Sequence, residues 1–356
     1  MFGRATQLVI GGAAAAVDRA ATLAAYAQTV RRRRRNAAES LPHDERMRVL
    51  ETLAETYRAA DIASYFRQPR SLDPVQRVVR SGPGDARVID LAWSSGYTSF
   101  LPDLRDRFAR HVHNHTAAAR LIVRGKPRPI AILIHGYMAG QYAVEQRVWP
   151  VEWLSRIGLD TALFVMPFHG LRANPNRRVP PFPGADPRMS NEGFRQAADD
   201  LRDLISFLRD RGHPAVGVLG MSLGGYLAAL ACTIERDLAF GVPIIPLASL
   251  ADFARDQGRL GSTAGETAAQ HAALDEVHRV ISPLHRPAVV PRERLLVIAA
   301  KADRITPMSH ARRLAHHFGA PLDAWAGGHL LQFGRADGFR RIGRLLSDLG
   351  LSKRNG

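Results

Sequence analysis

Beyond residue 85, the chain alternates short apolar runs with segments in which apolar residues recur every three or four positions. Continuous apolar runs predict strands buried on both faces, and the longer spacing predicts amphipathic helices. The alternation indicates an α/β fold with a mostly parallel central sheet and helices on both faces. The predicted helices lie at 144–154, 192–210 and 310–317 and in a final stretch to Leu349. The predicted strands are Arg87–Trp93, 111–123, Pro129–Ile134, Thr161–Met166, Ala215–Leu219, Phe240–Pro246, Leu295–Ala300 and Leu322–Trp325.

The N-terminal part of the chain follows a different pattern. Residues 5–30 are alanine-rich and predict a helix, and residues 43–67 predict an amphipathic helix that begins after Ser40-Leu41-Pro42. A capping serine followed by an early proline is a typical helix start. The stretch Arg70–Asp85 is rich in serine, glycine and proline, so it predicts a boundary. We therefore expect an N-terminal helical extension over 1–80 and a main domain over 81–352.

Residues 1–35 combine an apolar run, Leu8–Val17, with a cluster of five arginines, Arg31–Arg35. The run is too short to span a bilayer. Two interpretations stay open: a helix that rests on the main domain, or one that holds the protein on an anionic membrane surface. We expect a cytoplasmic protein in either case, peripheral to the membrane in the second.

The net charge of +16 indicates a polyanionic partner less strongly than its size suggests. Only three of the 49 basic residues are lysines, which indicates a compositional bias toward arginine. No basic stretch interleaved with aromatic residues occurs, so we expect no nucleic-acid partner. His111, His113 and His115 would share one face of a strand, but no carboxylate or cysteine is spaced to complete a metal site. We expect a solvated edge there and no metal.

Two segments are longer than the connections in the sheet require. Residues 171–192 are rich in proline and arginine, and residues 248–290 contain helical stretches that the sheet does not need. Long loops inside a compact domain are usually functional, so we expect these segments to form a lid or cap. The first of these segments would place positive charge near a substrate entrance, through Arg172, Arg177, Arg178 and Arg188.

The chemistry is concentrated where the strand Ala215–Leu219 meets Gly220-Met221-Ser222-Leu223-Gly224, ahead of an apolar helix. Gly-x-Ser-x-Gly between a strand and a helix indicates a sharp turn that exposes a nucleophilic serine. The flanking glycines leave room for the close approach of neighbouring backbone. A serine hydroxyl is a weak nucleophile at neutral pH, so it needs a base and an acid that orients the base.

With these motifs in order, the chain resembles the α/β-hydrolase superfamily, in particular its serine esterase and lipase branch. Ser222, Asp303 and His329 follow the chain order of that superfamily, each after a predicted strand. The likeness covers roughly residues 85–350, and Pro167–Arg172 adds a fainter likeness to a poorly characterised subfamily of hydrolase-domain proteins.

The resemblance implies roles for individual residues. Ser222 would be the nucleophile, His329 the base and Asp303 the acid, with Asp252 as the alternative acid. Backbone N–H groups of Leu223 and Tyr137 would form the oxyanion hole. We expect substrate to contact a further set of side chains near these positions, namely His135, Met138, His169, Arg172 and Met221.

The predicted function is hydrolysis of a carboxylic ester with a hydrophobic or amphipathic acyl group, such as a lipid. The same residues suit a thioesterase, amidase or acyltransferase, because they specify acyl transfer rather than the leaving group. A hydrolase-like protein that binds a lipid or a partner without catalysis is the alternative from another class. No glycine-rich nucleotide loop occurs elsewhere, so we expect no cofactor.

Overall fold

A sheet of nine strands runs through the part of the chain that the computed structural model describes, residues 13–21, 41–81 and 86–352. In space the strands follow the order β1-β2-β3-β5-β4-β6-β7-β8-β9. The pairs β1/β2, β2/β3 and β3/β5 are antiparallel, and the remaining pairs are parallel. The strands are β1 Val75–Ser81, β2 Ala86–Ser94, β3 Thr116–Arg124, β4 Ile130–Ile134, β5 Asp160–Val165, β6 Val216–Met221, β7 Gly241–Ile244, β8 Val297–Ala300 and β9 Leu322–Trp325.

Helices cover both faces of this sheet. Successive strand residues point to opposite faces, so Ile132 of β4 joins the core on one side and Leu133 joins the core on the other. The helices are α1 at residues 13–21, α2 His43–Arg58, α3 Ile62–Tyr65, α4 Arg105–Ala109, α5 Tyr142–Val148, α6 Val151–Arg156, α7 Pro187–Asp210, α8 Leu223–Ala231, α9 Leu250–Asp256, α10 Ala264–His278, α11 Met308–Phe318 and α12 Arg335–Asp348.

Helices α7, α8 and α11 supply the core on one side of the sheet, and α6 and α12 supply it on the other. The mostly parallel sheet with helices on both faces is therefore confirmed. The continuous apolar strands β4, β5 and β6 made it predictable, because a strand that is buried on both faces needs no polar side.

Two details of the sheet were predicted wrongly. His111, His113 and His115 do not share a strand face, because Val112–Asn114 forms a 3₁₀ turn and β3 begins only at Thr116. Within the described residues, no group of three or more histidine, cysteine or acidic side chains is placed to hold a metal. The stretch that predicted a domain boundary contains β1, so the sheet begins before residue 81.

The N-terminal helices divide between two places. The apolar face of α2, with Leu50, Ala54 and Tyr57, is buried in the main core, and α2 pairs with α10 through a 3.0 Å contact between His43 and Gln270. Helix α1 lies instead against the loop that carries His329. The arginine cluster Arg31–Arg35 lies outside the described residues, and membrane contact through residues 1–35 stays a prediction. No helix in the described ranges has the length and apolar character to cross a membrane.

Helix α7 anchors the N-terminal segment with charged groups as well as apolar ones. The Asp203 carboxylate is fully buried and accepts two hydrogen bonds from the Arg67 guanidinium, at 2.6 and 2.7 Å. A paired arrangement of this kind offsets the cost of burying the carboxylate. The helix starts at Pro187, five residues before its predicted start, and Asp186 caps it by accepting the Arg188 N–H.

Candidate active site

Ser222 sits in the turn between β6 and α8 with φ 58° and ψ −113°. A positive φ is unfavourable for a residue with a side chain, so the surrounding structure must hold it in place. The two flanking glycines are required by space. A Cβ at Gly220 would collide with the Gly224 carbonyl, and one at Gly224 would collide with the Ile134 carbonyl.

His329 connects the serine to a carboxylate. Its Nε2 lies 2.9 Å from Ser222 Oγ, and its Nδ1 lies 2.8 Å from Asp303 Oδ2. With Asp303 ionised, Nδ1–H donates to the carboxylate, which leaves Nε2 to accept from the serine hydroxyl. Both His329 and Asp303 are buried. The arrangement can remove a proton from Ser222 Oγ and stabilise the resulting imidazolium.

The structure places only one of the two candidate acids next to His329. Asp303 follows β8, as expected, and its other carboxylate oxygen accepts N–H bonds from Ile305 and Thr306 at 2.8 Å each. Asp252 lies in α9, where its carboxylate pairs with His271 at 2.8 Å and with Arg313. Asp252 is therefore occupied within an ion-pair cluster.

Thr306 is a neighbour of this arrangement that the sequence did not single out. Its Oγ1 lies 3.0 Å from Asp303 Oδ2, from His329 Nδ1 and from the Ile245 carbonyl. One hydroxyl has one proton to donate, so the Ile245 carbonyl and the Asp303 carboxylate compete for it. Because Thr306 lies only three residues after Asp303, an Asx-type turn starting at the acid was the available signal.

Two backbone segments converge on the serine. Gly136 approaches so closely that a Cβ there would lie 3.5 Å from Ser222 Cβ. Leu223 is the first residue of α8, where backbone N–H groups have no partner inside the helix. Tyr137 and Met138 follow Gly136 in a turn, and Met138 has a φ of 58°. This places the predicted oxyanion segments on the same side of the fold as Ser222.

Comparison with known proteins agrees with this architecture. No protein-family model matches the sequence. The structure resembles an acetyl xylan esterase from Paenibacillus sp., with a TM-score of 0.54 and 15% identity over 84% of this chain and 94% of that chain. It also resembles acetyl xylan esterase 1 from Thermoanaerobacterium sp., with a TM-score of 0.56 and 16% identity over 82% of this chain and 93% of that chain. The chain has the α/β-hydrolase fold.

An uncharacterized protein of Mycobacterium tuberculosis, found in two strains, is 30% identical to this chain over 277 residues. The match covers 75% of this chain and 65% of the relative. The chain thus spans just under two thirds of the length of the curated relatives it matches.

The sequence predicts that His135 contacts substrate, whereas the structure gives both of its ring nitrogens backbone partners. Its Nε2 accepts the Met166 N–H at 3.0 Å, and its Nδ1 lies 2.7 Å from the Gly136 carbonyl. Burial lowers the pKa of His135 to about 3, so the ring is neutral at physiological pH. Because both ring nitrogens bond to backbone, the expectation that His135 binds substrate is corrected: it fixes the loop before Tyr137.

Arg172 forms a buried ion pair instead of lying on the surface. Its side chain is buried and lies 2.9 Å from the buried carboxylate of Asp200 on α7, with a second bond to the Asn114 carbonyl at 3.0 Å. Its charge is therefore paired inside the fold. Arg172 also lines a cleft on this side of the molecule, and substrate contact at Arg172 stays a prediction. Arg188 is likewise paired, with Asp186 and Asp103.

A cleft of about 250 Å³ opens beside the Gly136–Met138 turn. Its described lining contains no acidic residue. We call it the basic cleft, after the charged residues of its lining. Ser222 is not part of the lining. The basic residues of its lining are Arg110, His111, His113, His169, Arg172, Arg177 and Arg178.

Three more predicted contact residues lie around the site. His169 lines the basic cleft, and its Nδ1 lies 2.8 Å from the Pro167 carbonyl, while Nε2 has no hydrogen-bond partner among the described residues. Burial lowers the pKa of His169 to about 4.

Met138 is largely exposed in the same cleft. Met221, which directly precedes Ser222, is buried, and its sulfur accepts from the Gln332 amide at 3.3 Å. Substrate contact at His169, Met138 and Met221 stays a prediction.

The two long segments fold onto the same part of the molecule. Phe182, from the first segment, is fully buried against Phe194 of α7, with ring centroids 4.8 Å apart. Asn191 bridges the segments, because its amide donates to the Val277 carbonyl of α10 at 2.8 Å and its oxygen lies 2.7 Å from His278 Nδ1. A lid role for 171–192 and 248–290 stays a prediction.

Proposed function

We propose that this chain is a serine hydrolase that cleaves carboxylic esters with a hydrophobic or amphipathic acyl group. One observation carries the proposal: the His329 imidazole lies within hydrogen-bond distance of Ser222 Oγ on one side and of the buried Asp303 carboxylate on the other. The strained φ of Ser222 supports it, since such strain persists where the surrounding structure holds a residue for a purpose.

The reaction follows from these positions. Ser222 Oγ attacks the acyl carbon as His329 Nε2 takes the hydroxyl proton, which gives a tetrahedral oxyanion. The N–H groups of Leu223 and Tyr137 stabilise that oxyanion. Collapse breaks the ester C–O bond, and Nε2–H protonates the leaving alkoxide. Water then attacks the acyl-enzyme by the same route, which releases the acid and restores Ser222.

The substrate we propose is an amphiphile with an anionic group near the ester. Arg177 and Arg178 line the basic cleft beside Met138, and the same lining contains apolar surface from Phe168 and Val179. A cleft lined with one sign of charge raises the local concentration of oppositely charged ligands. A phospholipid or a fatty-acyl conjugate combines both features.

The same residues could pass an acyl group from a thioester or an amide, or to an acceptor other than water. A non-catalytic binding role is the remaining alternative. Rates on matched p-nitrophenyl esters, thioesters and anilides of equal chain length separate the enzymatic classes.

The experiment that tests the proposal compares wild type with Ser222→Ala on a panel of p-nitrophenyl esters and phospholipids. We expect hydrolysis by wild type and loss of more than 95% of the turnover in the variant, whose thermal unfolding should match wild type because only a hydroxyl is removed. Turnover retained by a clean Ser222→Ala preparation would remove the serine from the nucleophile role.

A further inference from the structure

Asp18 reaches the candidate active site from the other end of the chain. Its carboxylate is fully buried, and Oδ2 accepts the backbone N–H of His329 at 2.6 Å and that of Arg304 at 3.2 Å. Oδ1 accepts the N–H of Leu330 at 3.0 Å. Arg304 directly follows the acid Asp303, so one carboxylate binds both the loop of the acid and the loop of the base.

The contact is close and directed. A Cβ at Gly328 would lie 2.6 Å from Asp18 Oδ2 and 3.2 Å from Ala14 Cβ, so helix α1 rests directly on a residue without a side chain. Ala14 and Asp18 are the fully buried residues among the described part of α1, whereas Val17 and Arg19 are exposed. The described part of the helix therefore buries little apolar surface, and Asp18 connects it to the histidine loop.

The energetics favour a positioning role. Buried backbone N–H groups need acceptors, and a carboxylate forms stronger hydrogen bonds than a neutral acceptor. The imidazole of His329 must stay 2.9 Å from Ser222 Oγ and 2.8 Å from Asp303 at the same time. A shift of the residue 329 backbone by 1 Å would spoil both distances, and displacements of that size can cost about 10²-fold in rate.

We propose that Asp18 is a positioning residue of this hydrolase: it holds the loops of Asp303 and His329 in register and touches neither substrate nor the reacting atoms. The inference rests on the proposed function for its effect on rate. The structural part, that Asp18 orders the loop at 327–333, is independent of catalysis.

The kinetic test compares Asp18→Ala and Asp18→Asn with Arg19→Ala, a matched control on the exposed side of the same helix. We expect Asp18→Ala to lower kcat about 10²-fold with KM within about twofold. Asp18→Asn should fall between it and wild type, since one amide oxygen can still accept the Arg304 and His329 N–H groups while the NH₂ faces Leu330. Arg19→Ala should match wild type. Equal kcat values for Asp18→Ala and Arg19→Ala would overturn the proposal.

A double-mutant cycle tests the contact from its other side. Gly328→Ala should also lower kcat, because the added methyl displaces the Asp18 carboxylate. In an Asp18→Ala background the carboxylate contact is gone and the 3.2 Å approach to Ala14 Cβ remains, so Gly328→Ala should cost less there than in wild type. Strictly additive effects would mean that Gly328 acts without Asp18 and would contradict the proposal.

Hydrogen–deuterium exchange gives a readout that needs no activity. Exchange in peptides covering 327–333 should rise at least tenfold in Asp18→Ala, while strand β6 stays protected as in wild type. Unchanged exchange at 327–333 in a folded variant would overturn the positioning role. If wild type hydrolyses no substrate and the exchange still rises, the proposed function fails and the role of Asp18 stands.

Discussion

Replacing Asp303 by Asn changes one atom of the carboxylate that orients His329. In the folded protein Oδ1 accepts two backbone N–H groups, from Ile305 and Thr306, and Oδ2 faces His329 Nδ1. An asparagine that keeps the two N–H bonds must turn its NH₂ toward His329. The NH₂ then donates to Nδ1, so the imidazole proton moves to Nε2.

The expected loss of activity follows from the position of that proton on the imidazole ring. With Nε2 protonated, the imidazole donates toward Ser222 Oγ and cannot take the hydroxyl proton. A wrong tautomer of this kind costs about 10⁴-fold in kcat in serine hydrolases with the same arrangement, which corresponds to about 5.5 kcal/mol of activation free energy. Stability should change little, because each polar atom at position 303 retains a partner.

The assay measures kcat on a p-nitrophenyl ester for Asp303→Asn and for the matched control Asp252→Asn. The control removes a charge that pairs with Arg313 and Arg255, both about half-exposed, so it should cost about 1 kcal/mol of stability and leave kcat within about twofold. An Asp303→Asn enzyme with kcat within tenfold of wild type, or an inactive Asp252→Asn enzyme, would show that Asp303 is not the acid that orients His329.

Three further outcomes are expected. Replacing both Arg177 and Arg178 by Gln should lower kcat/KM for an anionic ester about tenfold relative to a neutral ester at low salt. The control Arg344→Gln, on the exposed side of α12, should leave the ratio of the two kcat/KM values unchanged. An unchanged ratio in the double variant would show that the basic cleft does not select anionic substrates. Burial lowers the pKa of His278 from 6.5 to about 4. Between these pH values only the unfolded chain protonates His278, so the free energy of unfolding falls on acidification by up to about 1.4 kcal/mol per pH unit. His278→Gln should remove that part of the slope of unfolding free energy against pH, and an equal slope would contradict the assignment. Gly224→Ala should cost about 3 kcal/mol in urea denaturation, and a variant as stable as wild type would show that the turn has spare room.

The parts of this fold that the sequence predicts are those with local signals. Strands β4 and β6 are continuous apolar runs, and the glycine spacing around Ser222 marks a turn that few other residues can make. Strand β1 lacks such a signal, because as an edge strand it leaves Val75 and Val78 exposed and follows no burial pattern.

The site residues that sequence reasoning missed or misplaced depend on distant partners. Arg172 looks like a surface charge until α7 supplies the buried Asp200 carboxylate. Asp18 contacts His329 across 311 positions of the chain, and no local pattern indicates such a contact. Residues of this type become visible only after the whole chain has folded, because their partners are set by tertiary packing and not by spacing.

Covalent labelling by a fluorophosphonate, which reacts with a serine that an adjacent base activates, tests Ser222 as the nucleophile most directly. Wild-type protein should take up one equivalent of probe, with the added mass on the peptide that contains Ser222, and Ser222→Ala should take up none. Folded wild-type protein that stays unlabelled, or Ser222→Ala protein that is labelled equally, would contradict the assignment of Ser222 as the nucleophile.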